Sequence, residues 1–284
     1  MALRAGAVGM AGWLPSLALV AAACGAPAPG AADSAAGAHD GRRNLAMRAR
    51  QPLGGIAAAM EPTGDYHVVD VANPGAIAGR IRLANHPPRR DVTLTGDDVS
   101  ACGRVLRDGS VQGYGNDLEG VLVWVSGVDS GQALPRLRRA ALQIHRCVFV
   151  PRVLAVAQGT TINLQSRDDA VHRTRFYSES TDSLLSRMLT VDRWAVVPSA
   201  AIAADPGFVH VSLSQQPFAR GYVAVFQHPY FDVTDRYGRY RIAGLPAGTY
   251  HLRVWHERGG VPLDRVVKVS AGLQATFDTT LVLH

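Results

Sequence analysis

The stretch His228–Glu257 reads HPYFDVTDRYGRYRIAGLPAGTYHLRVWHE, and its alternation decides the fold. Tyr240 and Ile242 fall on one face of a strand, as do Tyr250, Leu252 and Val254, while Arg241, His251 and Arg253 point the other way. Between these runs lie two turns. Asp235–Gly238 ends on a glycine free to take a positive φ, and Pro246–Gly248 supplies the second reversal. The stretch is therefore a β-meander. Working outward, the same texture recurs in GAIAGRIRL (75–83), EGVLVWVSG (119–127), RVLAVAQGTTINLQS (152–166), FVHVSLS (208–214), GYVAVFQ (221–227), DRVVKVS (264–270) and ATFDTTLVL (275–283). About nine strands at close spacing predict an all-β protein of one or two sandwiches. Only residues 180–189 read as a short helix.

Composition narrows the classes further. With 284 residues, 47% of them apolar and only 18% charged, the chain has material for one or two cores. Its 29 glycines and 16 prolines fit a turn-rich globular protein rather than a disordered or multi-span one. The net charge of +6 comes from 29 basic and 23 acidic residues, and Lys268 is the only lysine. The arginines are scattered without interleaved aromatics, so no nucleic-acid partner is expected.

Residues 1–24 read as an export signal: Arg4 is followed by an Ala/Leu/Val-rich stretch, broken by Pro15, that ends in small residues before Cys24. The expected location is periplasmic or otherwise extracytoplasmic. LVAAACG around Cys24 resembles a bacterial lipoprotein signal, with Ala21 where leucine is usual, so lipidation of Cys24 and simple cleavage both stay open. A lipid anchor would be the one route to a membrane. Residues 25–68, rich in Ala, Gly, Pro and Asp, read as a flexible linker. Of three cysteines, Cys102 and Cys147 remain as an even pair in a disulfide-permissive compartment, with two buried free thiols as the alternative.

The segments Cys147–Phe176 and His210–Glu257 resemble bacterial periplasmic proteins of the methylamine-utilisation type, which join a plastocyanin-like cupredoxin unit to a carboxypeptidase-regulatory-like (prealbumin-like) β-sandwich. The resemblance spans roughly residues 75–269. It implies a cupredoxin-like Greek-key sandwich at 145–226. The opening strands of the second sandwich lie at 75–135 and its meander at 228–284, so that sandwich is expected to be discontinuous, with the cupredoxin-like unit inserted. A type 1 copper site needs a thiolate and two imidazoles in a trigonal plane with a weak axial ligand. The family's early histidine matches His172 in SRDDAVHRTR. Its later Cys, His and Met positions match Leu213, Gln216 and Ala219 in VSLSQQPFARGYVAV. Leucine and alanine have no donor, and an amide is a poor ligand for copper. The resemblance thus implies the scaffold, while the residues predict no metal and no cofactor.

His172, His210 and His228 flank this region, and an unorthodox histidine site for copper or electron transfer is the alternative reading. The chain contains no HExxH, CxxC, GxSxG or Walker motif, so no enzyme is expected. Asp168 with Asp169 and Asp232 with Asp235 read as turn residues. Tyr230, Tyr237 and Trp255 are candidates for a sugar platform or, more simply, for packing. The leading expectation is an exported, non-enzymatic accessory protein whose partner is another envelope protein, with an acidic one favoured by the chain's charge. A glycan partner, bound through a β-sandwich, is the third reading.

Overall fold

The computed structural model describes residues 56–60, 65–136, 138–203, 207–216 and 218–284. The signal, Cys24 and most of the linker lie outside them. The described residues are all-β, with 21 strands numbered β1 to β21 in chain order, two one-turn helices α1 (Ile56–Met60) and α2 (Asp98–Cys102), and a 3₁₀ turn at Ser199–Ala201.

Four sheets carry the architecture. In the first, β2 (Gly75–Leu83) runs antiparallel to β17 (Arg239–Leu245) and parallel to β20 (Gln274–Thr276) and β21 (Thr279–Leu281). The second orders β16 (Phe231–Val233), β5 (Leu122–Ser126), β18 (Gly248–Trp255) and β19 (Leu263–Val269), all antiparallel. The third orders β12 (Leu185–Leu189), β11 (His172–Tyr177), β14 (Phe208–Leu213), β15 (Arg220–Phe226) and β9 (Val153–Ala157). The fourth orders β13 (Trp194–Pro198), β10 (Thr161–Ser166), β7 (Arg139–His145) and β8 (Val148–Val150). Two short pairs complete the set: β1 (His67–Val68) with β6 (Ser130–Gly131), and β3 (Val92–Thr93) with β4 (Val105–Leu106). Early and late segments thus share the first two sheets, with Ile77 opposite Ile242 and Val123 opposite Val254. Residues 139–226 build the other two.

Three hydrophobic cores separate the four sheets. Ile77, Ile81, Tyr240 and Ile242 of the first sheet meet Val123, Val125, Leu252 and Val254 of the second. Between the third and fourth sheets, Phe176, Val211, Val223 and Val225 meet Leu142, Ile144, Ile162 and Leu164. The remaining core lies between the second and third sheets, where Leu122, Trp124 and Trp255 pack with Val153, Phe208, Tyr222, Ala224 and Phe226. The strands beside this core, β5 and β15, are therefore covered on both faces. That is why VLVWV and GYVAVF are unbroken apolar runs while strands such as β11 and β17 alternate. Burying each large side chain of this middle core stabilises by about 1.5–3 kcal/mol.

Polar groups reinforce the same junction. Arg152, in the turn before β9, makes a two-pronged ion pair with Glu257, just after β18, and the Tyr222 hydroxyl donates to the same carboxylate at 3.1 Å. Burial works against the Arg152 charge, but Glu257 more than compensates and holds the guanidinium above its ordinary range. Within the outer sandwich, the buried Tyr230 hydroxyl donates to the Gly244 carbonyl at 3.1 Å and accepts the Gln132 N–H at 2.8 Å. Gly238 takes φ +67° in its turn, where an added Cβ would meet the Ile81 carbonyl oxygen at 2.3 Å.

Two sequence expectations need correction. Residues 180–189 are not helical: Leu185–Leu189 is an edge strand in register with β11, from Phe176 opposite Leu185 to His172 opposite Leu189. Its local pattern fits either period, and the open edge of the third sheet supplies the hydrogen bonds that decide it. The linker reading fails at its end. Ile56 of α1 is fully buried in the middle core, and the Trp124 indole N–H donates to the Ala59 carbonyl at 3.4 Å. A five-residue helix is too short to leave a periodic signal.

Cys102, closing α2, is bonded to Cys147 in the turn between β7 and β8, and both are buried. The bridge ties the connection of the outer sandwich to the inserted sheets. With the cysteines 45 positions apart, loop entropy gives it about 4 kcal/mol. Reduction, or Cys102→Ser with Cys147→Ser, is expected to lower stability by up to about that amount in chemical denaturation; unchanged midpoints would remove the bridge from the stability account.

The middle core also sets a pH dependence. Burial pushes the imidazoles of His210, His228 and His256 down to about 4, with Arg220 adding to the effect at His210. In the unfolded chain each takes a proton near pH 6.5, whereas the native protein resists until about pH 4. Stability is therefore full above pH 6.5 and lost as the pH falls through that window, by up to about 1.4 kcal/mol per pH unit for each histidine. Thermal melts between pH 7 and 4 should show the decline, and His256→Gln should make it shallower.

Candidate functional site

The site that the sequence singles out lies at the β7–β8 turn and the start of β11. Arg146 and Cys147 both take positive φ, 51° and 59°, a backbone that lacks glycine's freedom and needs outside support. Asp168 supplies it. Its carboxylate accepts the Arg146 N–H and, at 2.8 Å, the Cys147 N–H. The same carboxylate lies 2.9 Å from His172 Nε2, and His172 is fully buried. Burial by itself would raise the Asp168 carboxyl, but the bonds from His172, Cys147 and Arg146 outweigh it and hold it below the usual range. An ionised Asp168 accepts from the Nε2–H of His172. The His172 Nδ1 is buried and has no hydrogen-bond partner among the described residues.

The other three matched positions lie at the same end of the third sheet. Thr174 is opposite Leu213, and the Ser214 N–H donates to the Arg173 carbonyl, so β14 ends beside the start of β11. Leu213 and Ala219 are each 1% exposed and belong to the core of the inserted unit. Gln216 is buried, and its backbone carbonyl accepts the Ala219 N–H at 2.8 Å. The structure therefore brings His172, Leu213, Gln216 and Ala219 into one neighbourhood, but only His172 offers a good copper donor. Cys147, Asp168 and His172 form a group with metal-ligating side-chain types, all within 4.8 Å. The Cys147 sulfur, however, is committed to Cys102. The residues present do not fit a type 1 copper set.

The remaining histidines stand apart. His210 stacks on Tyr177, with ring centroids 5.0 Å apart, and faces Phe208 and Tyr222 on the side away from Val211. His228 sits against Phe226 and Tyr66, and its Nδ1 accepts the Tyr230 N–H at 3.2 Å. Neither belongs to the His172 group.

Both acidic turn pairs have backbone partners. Asp235 accepts the N–H groups of Tyr237 and Arg239 and pairs with the Arg239 guanidinium. Asp232 accepts the N–H groups of Val233 and Arg241; burial nevertheless raises its carboxyl. Asp168 is buried and Asp169 is not its partner but an exposed neighbour. Of Tyr230, Tyr237 and Trp255, packing is the role of two: Tyr230 and Trp255 are buried in different cores, whereas Tyr237 is exposed.

Sequence reasoning missed two features. One is the bracing role of Asp168, because nothing in IHRCVF announces a left-handed turn that needs an acceptor. The other is a cleft of about 430 Å³ at the junction of the two sandwiches, lined by Arg152, Asp232, His256 and Glu257 among others. Its strongest charges, Arg152 and Glu257, neutralise each other.

No family model matches the chain, and no curated protein is similar to it. Among solved structures it is similar to amicyanin from Paracoccus versutus, at 18% identity over 32% of this chain and 84% of that one, with a TM-score of 0.27. A purple cupredoxin from Nitrosopumilus maritimus is 16% identical over 30% of this chain and 98% of its own, TM-score 0.27. A copper-containing nitrite reductase from Thermus scotoductus is 20% identical over 34% of this chain and 24% of its own, TM-score 0.28. These likenesses concern fold alone and carry no argument about metal or activity.

Proposed function

We propose that this chain is a copper-free binding scaffold: an exported, non-enzymatic accessory protein of the bacterial cell envelope, in which a cupredoxin-like sandwich serves as structure rather than as a redox centre. One observation carries the reading. The position where the sequence resemblance calls for a copper thiolate holds Leu213, 1% exposed in the core of the inserted unit. A leucine there supplies the packing that a ligand loop around a metal would otherwise lack. His172 fits the same reading, since its bond to Asp168 helps brace the Arg146–Cys147 turn instead of waiting on an ion. The net charge of +6 favours an acidic partner and association that weakens with salt.

The test is metal content, visible absorption and Cu(II) titration of the purified full chain with its disulfide intact. The expected outcome is no stoichiometric copper and no charge-transfer band. Binding of one copper per chain that disappears in His172→Gln would overturn the proposal and make the protein a copper carrier.

A further inference from the structure

The outward face of the fourth sheet carries an aromatic side chain and a set of uncharged hydrogen-bonding groups that the fold does not use. Strand β10 lies between β13 and β7, and their register builds rows across three strands: Trp194, Gln165 and Gln143 in one, Val196, Asn163 and Ala141 in the next. The intervening residues Ile162, Leu164, Leu142 and Val197 point inward and are fully buried, so the rows must point out. Trp194 is 65% exposed and Val196 41%. Together the rows line a shallow depression of about 490 Å³, within the range of small-ligand sites.

The chemistry of this face is specific. An indole left open on a sheet offers a flat apolar surface with a polar edge, while Gln143, Asn163 and Gln165 each present both a donor and an acceptor. Neighbouring strands are about 4.8 Å apart and successive rows about 7 Å, so the amides form a lattice on the scale of single sugar rings. Among the residues lining the depression there is no carboxylate, and Arg139 is the only charge. An apolar protein partner would find too many amides here, and a polyanion too few cations. A neutral pyranose chain meets both demands, its C–H face on the indole and its hydroxyls on the amides.

We infer that the Trp194 face is a binding site for a neutral, equatorially substituted oligosaccharide. The site is separate from the His172 region and from the junction cleft, and it stands whether or not the inserted unit binds copper. Trp194 provides the stacking platform, and Gln143, Gln165 and Asn163 select for hydroxyl geometry.

Affinity electrophoresis of the full chain through gels containing laminarin, hydroxyethyl cellulose or xylan tests this, with polygalacturonate as the anionic comparator. Retardation by at least one neutral polysaccharide is expected, with Trp194→Ala weakening it about tenfold or more and Trp194→Tyr restoring most of it. Gln165→Ala should weaken binding without changing the thermal midpoint, and midpoints for all variants report that the fold is kept. No retardation by any neutral polysaccharide, retardation by polygalacturonate alone, or retardation indifferent to Trp194→Ala with its midpoint unchanged would overturn the assignment.

Discussion

The middle core holds this protein together. Trp124 and Trp255 from one sandwich pack with Phe208, Tyr222 and Phe226 from the other, so neither sandwich has a complete surface of its own at that junction. Separating them would expose the largest aromatic side chains in the chain to water and would leave the Arg152–Glu257 pair without its partner charge. The described residues accordingly form one compact unit despite their two-sandwich organisation.

The corner of the inserted unit around His172 is organised by packing and hydrogen bonds within that unit. Leu213 and Ala219 fill the core, and Asp168 gathers the Arg146 and Cys147 amides and the His172 imidazole into one buried cluster. The disulfide from Cys147 to Cys102 fastens the same turn to the segment before β5. The cluster braces this corner of the chain, and His172 Nδ1 stays buried in it with no hydrogen-bond partner among the described residues.

Surface chemistry follows from the layering. Beside the junction the middle sheets are covered on both faces, while their peripheral strands keep exposed residues such as Met188 and Val266. Tyr230 and Trp255, which look like platform residues in the sequence, belong to buried layers. Trp194, on a terminal strand of the fourth sheet, is an aromatic that the architecture leaves open.

The amino-acid sequence by itself determined the all-β class, because alternation such as that in YRI and YHLRV is a local property of consecutive residues. It also determined the poverty of donors at Leu213, Gln216 and Ala219, and it narrowed the disulfide to Cys102 and Cys147 by leaving a single even pair beyond Cys24. Only the tertiary structure decided which faces are buried twice, that residues 185–189 form a strand, that Ile56 docks, and that His172 answers to Asp168. The reason is physical. Period-2 patterning distinguishes one face of a strand from the other, but whether the second face meets water, a second sheet or a ligand depends on residues far away in the chain. An unbroken run such as GYVAVF is compatible with several such fates, and the stacking of four sheets chose among them.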